Sequence, residues 1–255
     1  MNKVLEIDSL DFSYHTLSGE TKAIENVSFD VFENEFLGII GPSGSGKSTI
    51  LSLIFGLLTP TSGEIHAAEL THTAGDTPIG YMLQKDHLFE WRSIYRNITL
   101  GLEINHQLND EKKEFIDKML ADYGLDGFKD ARPSQLSGGM RQRAALIRTL
   151  ALKPQMLLLD EPFSALDSQT RLSVAEDIYG ILKKEHKSAV LVTHDISEAI
   201  SFCDRIVVLS QRPGTVKNII PIHLSVDEKT PLKARNAPEF REYFNMLWRE
   251  LHDEG

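Results

Sequence analysis

The chain has 255 residues, 41% hydrophobic and 25% charged, with a formal net charge of −10. That length suits one large or two small domains with an ordinary globular core, and the acidic surplus argues against nucleic acid or anionic lipid as a partner held by bulk electrostatics. No apolar stretch reaches the ~18 residues of a membrane-spanning helix, the start MNKVLEIDSLDFSY lacks the apolar run of a signal peptide, and a lone cysteine, Cys203, excludes an intrachain disulfide and an all-cysteine metal site. These features predict a cytoplasmic protein in which Cys203 packs as a small apolar side chain.

In chain order, residues 4–40 alternate apolar and polar positions and read as mostly antiparallel strands, closing on FLGII, a short buried strand. GPSGSGKST follows: Gly41, Pro42, Ser43, Gly44, Ser45, Gly46, Lys47, Ser48 and Thr49. Glycines at this spacing let the backbone turn tightly and aim its N–H groups at phosphate oxygens. Lys47 then reaches the β- and γ-phosphates and Ser48 offers a hydroxyl to Mg²⁺. Residues 48–58 carry apolar side chains at helical spacing, so strand, loop and helix N-terminus together form an anion site.

Residues 89–151 switch to helical patterning, in SIYRNITLGL, EKKEFIDKMLADYGL and the stretch after LSGGM. Phe89, Trp91 and Tyr95 read as the core of a small helical subdomain, and Arg92 as an ion-pair partner. Ser137 is a good N-cap, and with Gly138 and Gly139 it opens a second helix N-terminus suited to phosphate. The first loop already supplies the chain's own phosphate contacts, so the second makes sense if it meets the nucleotide of another copy in a closed two-fold pair.

After Pro154, strands and helices alternate (MLLLD, RLSVAEDIYGILKKE, SAVLVT, ISEAISFC, RIVVLS), which implies parallel strands with helical crossovers. Asp160, at the C-terminal end of MLLLD, is placed to hold Mg²⁺. Glu161 is expected to point the other way, because side chains alternate on a strand, and so to polarise an attacking water. Residues 214–222 read as a closing strand pair and FREYFNMLWREL as a terminal amphipathic helix. The charged runs EKKE and KKEHK read as solvated helix faces.

These motifs, in this order, resemble the ATP-binding-cassette ATPases over nearly the whole chain. Tyr14, in FSY, sits where that family stacks an aromatic ring on adenine. Gln84, in YMLQKD, is similar to its Q-loop glutamine, LSGGMRQR to its signature, LLLDEP and SALD to its Walker B strand and D-loop, and His194, in LVTHD, to its switch histidine. The resemblance implies an α/β fold: a P-loop NTPase core with a mostly parallel sheet, an N-terminal antiparallel β subdomain and an inserted α-helical subdomain. Residues 1–88 and 152–222 would form the core with its β subdomain, 89–151 the helical subdomain and 223–255 a helical tail. It implies hydrolysis of ATP, with Glu161, His194 and Lys47 catalytic, Tyr14 and residues 41–49 on ATP, and Ser48, Gln84 and Asp160 around Mg²⁺. Ser137, Gly138, Gly139 and Asp167 would act in trans across an ATP-dependent homodimer.

Within that family there is no coiled-coil or zinc insertion and no second cassette, as DNA-repair and translation relatives carry. The string before the signature is DARPSQ rather than the TEVGERG-like stretch of many exporters. LQKDHLFEWRSIYRNITLGLE and SQRPGTV resemble the importer branch for nitrate, sulfonates, taurine and thiamine precursors, although Glu90 stands where many of that branch have proline. The partners so implied are transmembrane permease subunits, received in part through the segment after Gln84, and through them an extracytoplasmic solute-binding protein. The place implied is the cytoplasmic face of the cell membrane, peripherally, with no nucleic-acid partner. The stretch after residue 222 is too short for an appended regulatory domain.

Overall fold

The computed structural model describes residues 2–16, 19–67 and 78–252. The chain runs β1 (Lys3–Thr16), β2 (Gly19–Phe32), β3 (Phe36–Ile40), α1 (Lys47–Ile54), β4 (Ser62–His66), β5 (Ile79–Met82), α2 (Ile94–Ile104), α3 (Asp110–Asp122) and α4 (Gly138–Leu150). It continues with β6 (Met156–Asp160), α5 (Ser168–Lys184), β7 (Ser188–Val192), α6 (Ile196–Phe202), β8 (Arg205–Leu209), β9 (Val216–Pro221), α7 (Pro231–Ala234) and α8 (Phe240–His252). One sheet has the order β2-β1-β4 with antiparallel neighbours, and the other the order β5-β6-β7-β3-β8-β9, parallel except for β9. The fold is thus α/β with a mostly parallel sheet, an antiparallel N-terminal sheet and a run of helices between β5 and β6.

Strands β3, β6 and β7 are buried at every position. Both faces of the parallel sheet are covered, which is why these strands are continuous apolar runs. Alternate residues feed opposite layers. Leu157 and Leu159 enter one cluster with Ile98, Leu146 and Phe202, whereas Met156 and Leu158 enter another with Leu10, Val27 and Ile50. The first cluster joins α2, α3 and α4 to the sheet without a break. Side-chain caps start the helices: Ser93 on α2, Asn109 on α3, Ser137 on α4, Asp167 on α5 and Asp195 on α6.

A carboxylate ties the segment after β5 to α4. Arg141 Nε and Nη2 donate to Asp86 at 2.9 and 3.3 Å, and Arg148 donates to the carbonyls of Asp86 and His87 at 2.7 and 2.8 Å. Burial works to raise the Asp86 pKa, but the hydrogen bonds and the Arg141 charge prevail and hold it below the usual carboxylate range. Cys203 is fully buried, as its apolar setting suggested, and burial pushes its thiol pKa up.

Several expectations change. The helix after the glycine loop stops at Ile54, inside the apolar pattern, because Gly56 turns the chain at φ 81°. Residues 214–222 give one strand, β9, whose partner is β8, while Gly214 bridges to Ile24. Phe89 and Trp91 are not core: they are 37% and 70% exposed, with ring centroids 4.8 Å apart. Tyr95 does pack against the core, and Arg92 pairs with Glu103 at 2.5 Å. KKEHK is only partly solvated, since Lys183 Nζ lies 4.2 Å from the Phe36 ring centroid.

Candidate functional site

The ends of β3, β6 and β7 converge beside the loop 41–46, with α1 rising from it. Gly46 is at φ 89°, and a Cβ there would lie 2.4 Å from Ile24 Cγ2, so glycine is required on both counts. Lys47 is buried, and its Nζ donates to the carbonyls of Gly41 and Pro42 at 2.8 Å each. Burial lowers its pKa, against the pull of Glu161 and Asp160. Ser48 Oγ donates to Asp160 Oδ1 at 3.0 Å, and Tyr81 Oη to Asp160 Oδ2 at 3.4 Å. Burial also raises the Asp160 pKa, helped by the charge of Glu161 and opposed by the Ser48 hydrogen bond and Lys47. Burial pushes the Tyr81 phenol up to about 12, and the charge of Asp160 beside it acts in the same direction.

Glu161 does turn away from Asp160, but not through strand alternation. The strand ends at Asp160, and Glu161 adopts a left-handed backbone with φ 44°, a conformation disfavoured for a residue with a Cβ. Its N–H donates to Val192 O at 2.8 Å, and its carbonyl accepts from Ser164 N at 3.1 Å and Ser164 Oγ at 2.9 Å. Glu161 Oε2 so meets Gln84 Nε2 at 3.1 Å and His194 Nδ1 at 3.2 Å. Gln84 also donates to Ser164 Oγ at 3.4 Å, a contact with no local signal in the sequence.

These groups border a cleft of about 450 Å³, lined by Tyr14, Thr21, Ala23, Ser43, Gly44, Gly46, Lys47, Ser48, Thr49, Glu161, His194 and Arg212. Tyr14 is 42% exposed and its hydroxyl lies 3.0 Å from Thr49 Oγ1, so its ring borders the cleft rather than filling a core. Ser137, Gly138, Gly139 and Asp167 are not among the lining residues. Ser137 caps α4 by accepting from Met140 N at 3.3 Å. Asp167 caps α5, and the hydrogen bonds from Thr170 and Gln169 hold its carboxyl below the usual range. Thr21, Ala23 and Arg212 are additions to the site. Thr21 is signalled only by its register opposite Tyr14, and Arg212 by nothing local.

The cleft offers the buried Lys47 amine and the glycine-loop backbone, the Tyr14 ring at its border, and oxygen donors from Ser48 and Glu161, with Asp160 hydrogen-bonded to Ser48. Among the described residues no group of three or more His, Cys, Asp and Glu side chains could hold a metal ion. Ser48 Oγ, the Asp160 carboxylate and the Gln84 amide are hard oxygen donors of the kind Mg²⁺ takes when phosphates complete its shell.

A family profile described as ABC transporter matches residues 24–164. The chain is 44% identical over 248 residues to the uncharacterized ABC transporter ATP-binding protein YtlC of Bacillus subtilis, covering 97% of this chain and 95% of that one. It is 39% identical over 243 residues to the nitrate import ATP-binding protein NrtD of Synechocystis sp., covering 94% and 91%. Among solved structures, the dimeric post-hydrolysis state of the ATP-binding cassette MJ0796 bound to ADP and Pi is similar at a TM-score of 0.71 and 30% identity, over 86% of this chain and 99% of that one. The profile spans the glycine loop, Asp160 and Glu161, and full-length relatives exceed a third identity, so the chain belongs to the ABC transporter family, as one of its ATPases.

Proposed function

We propose that the chain is the ATP-hydrolysing subunit of a membrane importer, pairing with a second copy over two ATP molecules and driving permease subunits at the cytoplasmic membrane face. The observation that carries the catalytic half is the meeting of Gln84 and His194 on one carboxylate oxygen of Glu161 at the edge of the loop 41–49 cleft. Lys47 exchanges its carbonyl partners for β- and γ-phosphate oxygens, and the loop N–H groups add fixed donors. Ser48, Asp160 and Gln84 would hold Mg²⁺, which would neutralise charge on those phosphates. Glu161 orients the attacking water and accepts its proton. His194, with Nδ1 towards Glu161, keeps Nε2 for the γ-phosphate side. Tyr14 stacks on adenine. Ser137, Gly138, Gly139 and Asp167 are kept for the partner copy's nucleotide, in line with their place outside the chain's own cleft.

The importer half is supported by the similarity to NrtD and by the exposed Phe89–Trp91 pair after Gln84, apolar surface of the kind a permease helix would cover. Nitrate, sulfonates, taurine and thiamine precursors are the solute classes in view, with an extracytoplasmic binding protein supplying them. Among the described residues no helix is long and apolar enough to cross a membrane, so membrane attachment would run through the permease.

Glu161→Gln keeps shape and removes the charge. Phosphate release should fall by about 10²–10⁴-fold, while ATP still binds and the pair accumulates, as read by light scattering across protein concentrations with Mg-ATP. Adding Ser137→Arg should leave ATP bound and abolish pairing. Equal pairing by the single and double variants would refute the in-trans role. Copurification from membranes, followed by identification of the solute held by the associated binding protein, tests the importer half.

A further inference from the structure

Arg212 borders the cleft without an assigned purpose. The turn that carries it is built firmly. Ser210 N donates to Thr215 O at 2.9 Å, and Ser210 Oγ accepts from Thr215 N at 2.9 Å and donates to Pro213 O at 3.1 Å. The turn then docks on the edge of β2. Gly214 N donates to Ala23 O at 2.9 Å, and Glu25 N donates back to Gly214 O at 3.0 Å. The fit against the glycine loop is as close, since a Cβ on Gly214 would lie 2.0 Å from Ser45 O. The backbone beside Arg212 is therefore fixed to both walls of the cleft.

The side chain, in contrast, is uncommitted. Arg92, Arg141 and Arg205 each pair with a carboxylate, whereas the Arg212 guanidinium has no hydrogen bond or ion pair among the described residues. Two acidic groups beside the turn and the cleft are engaged elsewhere: Glu25, whose N–H meets Gly214, with Lys22, and Glu161, on the same cleft, with Gln84 and His194. A guanidinium is a planar cation with five donors, suited to stacking on a ring and to hydrogen-bonding hydroxyls. The phosphate end of the cleft already has Lys47 and the loop N–H groups. Arg212 enters from the β2 side, where Thr21 stands opposite Tyr14 in register.

We infer that Arg212 binds the nucleoside half of ATP, its guanidinium plane packing on the base or ribose from the β2 side while Tyr14 holds the base from β1. This rests on the reading of the cleft as the ATP site. It makes Arg212 a binding and specificity residue, acting on ATP and ADP alike.

Calorimetric titration of the full chain with ATP, ADP and inorganic tripolyphosphate tests this in the wild type, Arg212→Ala, Arg212→Lys and Lys47→Ala. Arg212→Ala should weaken ATP and ADP by the same factor, about 3- to 30-fold for a contact of this kind, and leave tripolyphosphate unchanged. Arg212→Lys should recover only part of the loss, since an ammonium lacks the plane. Unchanged ATP binding in Arg212→Ala alongside a loss in Lys47→Ala overturns the assignment, as does an equal loss for tripolyphosphate or full recovery with lysine. Wild-type ATP affinity in both Lys47→Ala and Arg212→Ala would instead remove the reading of the cleft itself.

Discussion

Asp160 and Lys47 are each held against their charged form by burial. A carboxyl whose folded pKa is raised contributes stability below its ordinary range and loses it as pH rises through the raised value. Where Asp160 is ionised, the nucleotide-free fold bears that charge at a cost, which a bound cation would offset. Asp160→Asn keeps an acceptor for Ser48 and removes that charge. It should raise the melting temperature of the nucleotide-free chain, by about 2–4 °C for each ~1 kcal/mol gained, while turnover collapses. Differential scanning fluorimetry across pH reads this, and the gain should shrink towards acid, where Asp160 itself is protonated. Tyr14→Ala should weaken ATP binding by ~1–3 kcal/mol, the scale of base–aromatic stacking. Tyr14→Phe gives up only the hydroxyl contact to Thr49 and should stay near wild type, as a fluorescent-nucleotide titration will show. At this scale the sequence is informative where chemistry is contiguous: residues 41–49 declare their geometry by spacing alone. Arg212 does not, because its place depends on Gly214 meeting Ala23 and Ser45, residues far away in the chain.

The elements follow their patterns where one face meets one core. The buried strands were legible as apolar runs, and α2, α3 and α4 as helices, because tertiary packing agrees with local periodicity. The segment 89–93 departs from its pattern for the opposite reason. Its aromatic side chains suggest a core, but Asn97 decides the backbone. Fully buried on α2, Asn97 accepts from Phe89 N at 2.7 Å and donates to the carbonyls of Phe89, Arg92 and Ser93 at 3.1, 3.2 and 3.0 Å. That amide folds the segment back on the helix, and Phe89 and Trp91 are left outside. Asn97→Ala would strand the Phe89 N–H and the Arg92 carbonyl, since the Phe89 and Ser93 carbonyls keep Arg92 N and Asn97 N as donors, and should cost about 2–3 kcal/mol. Urea unfolding measures it, and a change below half a kcal/mol would mean that water replaces the amide.

Across the whole molecule, the helices between β5 and β6 are not an appendage. Their Ile94, Ile98, Ile116 and Leu146 belong to the same apolar cluster as Phe36 and Leu159 of the sheet, and Asp86 with Arg141 adds a charged tie. Calorimetry should therefore show one unfolding transition, raised as a unit by nucleotide, by about 2.7 kcal/mol at a hundredfold excess over Kd. Two separate transitions would show that the shared cluster does not make the parts cooperative. The exposure of Trp91 also gives the chain an optical property. Its only other tryptophan, Trp248, lies on α8, stacked 4.0 Å from His252 and 51% exposed. With Trp248→Phe, all indole emission comes from Trp91. Nucleotide alone should leave that emission at its water-exposed wavelength, and a permease surface closing over the ring should shift it to the blue, so that transporter assembly can be followed in real time without a label.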